Sequence, residues 1–121
     1  MRGIFATGLA AVLAVGLGAV VLAADAPATK SVTGTPEDSF CWGTMGASGP
    51  SHKKCAIGCA KAGIPVTLVE KGSGDAYVLL PPKDAEALPS DLVAKMEDEV
   101  TVTGKEFSKS GVKYLTVESV K

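Results

Sequence analysis

The chain has 121 residues, a formal net charge of −1 and 46% hydrophobic residues, with three cysteines and one histidine. This length allows one small domain with a modest core, and it is too short for two domains. The near-neutral charge and the absence of a basic stripe argue against nucleic acid as the partner.

The first 24 residues have the features of a secretory signal peptide. Met1 and Arg2 provide a positive start, an apolar run covers 4–22, and small residues follow it. Signal peptidase prefers such small residues, so we expect cleavage after Ala23 or Ala24. An uncleaved membrane anchor is the alternative, because the apolar run approaches spanning length. Cleavage predicts a periplasmic or secreted protein that meets the membrane through this segment alone.

A flexible leader is expected over 25–30, and a single domain over 31–121. Short segments rich in β-branched or alternating apolar residues predict strands at 31–35, 66–70, 76–80, 100–104 and 112–120. A weak helical pattern over 84–96 predicts one or two short turns between the third and fourth strands. This order predicts a mainly β fold, an OB-like five-stranded barrel. A two-layer α+β sheet is the main alternative.

One helix is predicted in the connection between the first and second strands, over 51–62. Ser51 is a suitable N-cap, because its hydroxyl can accept from a free backbone N–H. Gly63 can take the left-handed conformation that ends a helix, and Pro65 prevents continuation. The Gly-rich segment 43–50, just before this helix, is predicted to be a loop.

Every cysteine and the single histidine lie in or near this helix. At 100° per residue, His52, Cys55 and Cys59 fall on the half of the helix expected to face the domain. Cys41, from the preceding loop, can add a third thiolate. Three cysteines and one histidine form a known zinc set, and soft thiolates with imidazole also suit copper. The sequence therefore predicts an exported metal-binding module with these four residues as candidate ligands.

Two alternatives stay open from the residues alone. A disulfide from Cys41 to Cys55 or Cys59 would staple the loop to the helix, and the protein would then be an interaction subunit of a larger exported or membrane partner. The second alternative is a thiol-redox protein that uses Cys55 as its reactive thiol. A catalytic Cys–His dyad would have to use His52, with Asp38 as its acid partner or with none. The chain has no other catalytic motif, so we expect no enzymatic activity.

Several short motifs resemble those of a family of small exported bacterial proteins with OB-like domains. They are Asp38-Ser39-Phe40-Cys41, the C-x-x-x-C of Cys55 and Cys59, and a closing V-x-V-x-G at 100–104 followed by the strand around 115–117. The resemblance implies a barrel fold and a shared site at the three cysteines. The C-x-x-x-C spacing is also similar to that of periplasmic copper chaperones for respiratory oxidases. Those proteins have a thioredoxin fold, so the comparison implies thiol chemistry alone.

Overall fold

In the computed structural model, which describes residues 27–121, five strands close into a barrel. The strands are β1 (Thr29–Asp38), β2 (Val66–Glu70), β3 (Ala76–Leu80), β4 (Val100–Lys109) and β5 (Val112–Thr116), and the short β6 (Ser119–Val120) adds to β4. The helices are α1 (Ser39–Met45), α2 (Lys53–Lys61) and α3 (Ser90–Ala94), with a 3₁₀ turn at Pro50–His52 leading into α2. This architecture confirms the prediction of a mainly β, OB-like barrel.

The long strand β1 closes the barrel by pairing with two neighbours. Its first half, Thr29–Gly34, is antiparallel to β4, and its second half, Gly34–Asp38, is antiparallel to β2. Gly34 belongs to both pairings, and a Cβ at this position would collide with the carbonyl of Val69. Glycine is therefore required where β1 passes from one neighbour to the other. The order β1-β2-β3-β5-β4 is completed by a parallel β3–β5 pair.

The barrel interior is filled by apolar side chains from every long strand. Tyr77 on β3 is buried, and Leu115 and Val117 are buried together. Helices α2 and α3 cover the barrel with Ala56 and Leu92. The remaining core residues are Val32, Val66, Leu68, Leu79, Met96, Val100 and Val102.

The N-terminal boundary differs from the prediction. β1 begins at Thr29, and the Ala28 carbonyl accepts a hydrogen bond from the Glu106 N–H at 3.2 Å. Residues 29 and 30 of the expected leader therefore belong to the barrel, because β4 extends far enough to pair with them. The predicted signal peptide over 1–24 lies outside the described residues. Within 27–121, no helix is long and apolar enough to cross a membrane.

The boundaries of other elements also differ from the prediction. β2 and β3 have the predicted limits, but β1 extends beyond the predicted 31–35 to Asp38, and α1 begins at Ser39. β4 continues beyond the predicted 100–104 to Lys109. The hairpin is closed by Ser110 and Gly111, both with positive φ, which matches the twist of the flanking strands. Residues 112–120 form β5 and β6 rather than one strand.

Candidate metal centre

Helix α1 places Cys41 at the end of the barrel. Asp38, the last residue of β1, is its N-cap, and Oδ1 accepts a hydrogen bond from the Cys41 N–H at 2.8 Å. Ser39 ties the same turn to the barrel, because its N–H donates to the Pro65 carbonyl at 2.9 Å and its hydroxyl lies 2.8 Å from that of Thr67. The D-S-x-C motif thus has a structural basis: it caps a helix and fixes the direction of the cysteine.

Helix α2 carries the other two cysteines and is ended as predicted. Gly63 has φ 92° and donates to the Ala60 carbonyl, and the Ile64 N–H donates to the Cys59 carbonyl at 3.0 Å. The predicted cap at Ser51 is wrong, because the chain enters α2 through the 3₁₀ turn, where the His52 N–H donates to the Gly49 carbonyl. A backbone bond there replaces the side-chain cap.

The three sulfur atoms converge. The Sγ atoms of Cys41, Cys55 and Cys59 all lie within 4.8 Å of one another, although Cys41 comes from a different helix. All three are free thiols, so the structure gives no support to the disulfide alternative. Their burial differs: Cys41 is buried, Cys59 is half-buried and Cys55 is exposed. The expectation that Cys55 faces the domain is therefore wrong, because α2 packs on the barrel through Ala56 and its neighbours.

This donor set fits one soft metal ion. A Zn–S bond is about 2.3 Å long, which separates the sulfurs of a tetrahedral site by about 3.8 Å. Sulfurs held within 4.8 Å of one another reach that spacing with small side-chain rotations. Three cysteines with aspartate and histidine beside them are thus positioned to hold a metal.

His52 lies in a second group, with Asp38 and Cys41. Its Nε2 is 2.7 Å from Asp38 Oδ2, and the ligand atoms of these three residues also lie within 4.8 Å of one another. The structure does not include His52 in the group of three sulfurs. Instead, Asp38 joins the histidine to the cap of Cys41, as carboxylates often do beside metal ligands. Asp38 is also the acid partner that the sequence suggested for His52.

The thiols of Cys41 and Cys59 carry their protons when no cation is bound. Burial, with Asp38 and the other cysteines adding to it, raises the pKa of Cys41 to about 12. Burial also raises the pKa of Cys59, again with help from Asp38. Burial opposes ionisation of Asp38 too, but hydrogen bonds from Cys41 and His52 hold its pKa below the ordinary value. Negative charge therefore sits on the carboxylate beside the thiols, and Cys41 lacks the lowered pKa of a redox nucleophile.

A pair of buried acids, missed by the sequence analysis, adjoins the site. Glu37 and Glu97 are 5% and 7% exposed, and the Gly49 N–H donates to Glu97 Oε2 at 2.7 Å. Oε2 of Glu37 and Oε1 of Glu97 have no hydrogen-bond partner among the described residues. Burial, together with Glu97, raises the pKa of Glu37 to about 8, so Glu37 holds its proton at neutral pH. Glu97 Oε1 also lies 4.0 Å from His52 Nε2.

Glu97 begins an acidic run with Asp98 and Glu99, which by composition alone would indicate a solvated edge, but Glu97 is buried. Its backbone has φ 68°, and its N–H donates to the Pro36 carbonyl at 3.0 Å, which holds the residue against β1. No local sequence pattern marks such a residue, because the contact joins segments far apart in the chain.

Comparison with known proteins adds no family. No family model, no curated protein and no solved structure matches this chain. The resemblance to small exported bacterial proteins stays a prediction, and the interpretation of the site depends on its geometry.

Proposed function

We propose that this protein is a small exported module that binds one zinc or copper ion through Cys41, Cys55 and Cys59. The observation that carries the proposal is the convergence of three sulfurs from two separate helices. Asp38 supports the site by capping α1 and by fixing His52. We propose a binding role rather than an enzymatic one.

The donor set favours Cu(I) over zinc. Soft thiolates select Cu(I) and zinc among the common metals. Structural zinc sites have four protein ligands, and three protein ligands leave one position open. No histidine, aspartate or glutamate of residues 27–121 has a ligand atom within 4.8 Å of all three sulfurs, so the group has no fourth protein ligand. Cu(I) needs no fourth ligand, whereas zinc would need a water or an outside donor.

The free thiols also support the proposal together with the expected export. Disulfides form and persist in oxidising compartments, where three neighbouring thiols would be at risk. A bound ion would hold the sulfurs as metal thiolates and keep them from pairing. A larger exported or membrane protein is the proposed source or recipient of the ion.

Metal titration of the exported protein tests the proposal. Native mass spectrometry of the reduced protein should show one Cu(I) or zinc per chain, and the bound ion should protect three thiols from alkylation. Cys59→Ser should abolish stoichiometric binding, whereas Ser51→Ala, at an exposed position that caps nothing, should bind normally. Full stoichiometric binding by Cys59→Ser would refute the proposed centre.

A further inference from the structure

We propose that the metal enters and leaves the site through Cys55, on a surface of α1 and α2 that fits an acidic, thiol-bearing partner protein. This inference rests on the proposed metal-binding function. It adds the route of exchange and the chemistry of the partner.

The burial of the three sulfurs sets the order of exchange. Cys41 is buried and tied to Asp38, and Cys59 is half-buried, but Cys55 is exposed. An incoming ligand can reach the metal from the Cys55 side without moving either helix. The anchored thiolates of Cys41 and Cys59 would keep the ion bound while the third ligand is replaced.

Exposed apolar side chains also lie on α1, the helix that carries Cys41. Phe40 and Met45, on the same short helix as Cys41, are 59% and 67% exposed. They are among the few large apolar residues of the described chain that face solvent, and both lie within four positions of a proposed ligand. Aromatic residues and methionine are enriched where proteins bind one another.

The charge of the same surface selects the partner. The segment 39–65, which contains both helices, has three lysines and no aspartate or glutamate. Lys53 pairs with Asp98, but Lys54 and Lys61 are exposed and form no ion pair within residues 27–121. Unpaired, exposed lysines on the helix that carries the exposed Cys55 attract an acidic partner and repel a basic one.

Gly58 keeps the surface open beside Cys55. It lies inside α2, where glycine is unfavourable relative to alanine, and it is exposed. A Cβ at this position would meet no atom of the chain within 4 Å. The fold therefore gives no reason for glycine here, whereas close approach by a partner's backbone would.

The exchange itself requires no oxidant or reductant. A thiol of the partner forms a sulfur–metal bond as the bond from Cys55 to the metal breaks. The proton of the partner's thiol passes to the Cys55 thiolate. The oxidation state of the metal does not change.

Transfer of Cu(I) from the loaded protein to two synthetic peptides tests the inference. Both peptides carry two cysteines, one among glutamates and the other among lysines. At low ionic strength, transfer to the acidic peptide should be about tenfold faster than to the basic one. The double variant Lys54→Glu, Lys61→Glu should reverse this preference and bind Cu(I) with unchanged stoichiometry. The variant Lys83→Glu, Lys109→Glu changes the net charge equally, away from α1 and α2, and should keep the preference.

Two further variants separate docking from binding. Gly58→Gln should slow transfer to the acidic peptide several-fold without lowering the thermal midpoint, because its side chain meets only solvent in the free protein. Cys55→Ser should lose rapid transfer to both peptides. Equal rates for the two peptides, or unchanged transfer from the lysine and glycine variants, would overturn the inference while the proposed function stands. Failure of the protein to load Cu(I) or zinc at all would instead refute the proposed function.

Discussion

Replacing Glu37 with glutamine is expected to stabilise the metal-free protein above about pH 8 and to change little near pH 4. Glu37 is 5% exposed, and its burial against Glu97 raises its pKa from 4.5 to about 8. Because the folded-state pKa lies above the unfolded value, the folded protein holds the extra proton between these limits. The stability of the native protein therefore falls as pH rises through this window and levels off above it.

The size of the effect follows from the pKa. The rise from 4.5 to about 8 sets an upper limit of about 5 kcal/mol on the cost of ionising Glu37. Structural relaxation and water entry reduce such costs, so we expect about 2 kcal/mol. Glutamine removes the ionisation and can still donate a hydrogen bond to Glu97.

Urea unfolding of the metal-free protein at about pH 5 and about pH 8.5 measures the difference. Glu118→Gln, at an exposed position, is the matched control and should leave the pH dependence unchanged. If Glu37→Gln and the native protein lose stability equally between the two pH values, Glu37 does not have the raised pKa, and the reasoning fails.

Four other changes have expected outcomes. Asp38→Ala should cost about 1 kcal/mol or more in urea unfolding and weaken metal binding, since it removes the cap of α1 and frees Cys41. In metal titrations, affinity should fall as pH falls, by up to about tenfold per pH unit for each thiol proton released, because burial raises the pKa of Cys41 to about 12. Gly34→Ala should lower unfolding free energy by about 2 kcal/mol, since its Cβ would collide with Val69, whereas Gly58→Ala should raise it by about 0.5–1 kcal/mol.

Features encoded locally in the sequence were predictable. The segments 66–70 and 76–80 are rich in β-branched or alternating apolar residues and are bounded by turn residues. The structure has strands with those limits. Gly63 ends α2 because its left-handed conformation needs no tertiary contact. The meeting of the three cysteines was predictable from helical spacing and from the short loop that joins Cys41 to the helix.

The features that were missed depend on contacts between distant segments. Helix α1 contains Gly43 and precedes a Gly-rich loop, so its composition indicated a loop. It forms because Asp38 caps it and Ser39 bonds to the barrel. His52 was placed with the cysteines by a helical projection, but it lies in the 3₁₀ turn before α2, where successive side chains advance by a different angle. Its ring therefore turns toward Asp38.

Asp38 makes the fold and the proposed site depend on each other. Its backbone ends the β1 pairing with β2, one side-chain oxygen caps α1, and the other binds His52. An ion bound by three thiolates would join α1 to α2, and both helices are already fixed to the barrel at this carboxylate and at Ala56. Binding should therefore stabilise the barrel itself, because an ion that binds the folded chain better than the unfolded chain shifts the folding equilibrium. The unfolding free energy should rise with metal concentration, and this gain should disappear when Cys59 is replaced by serine.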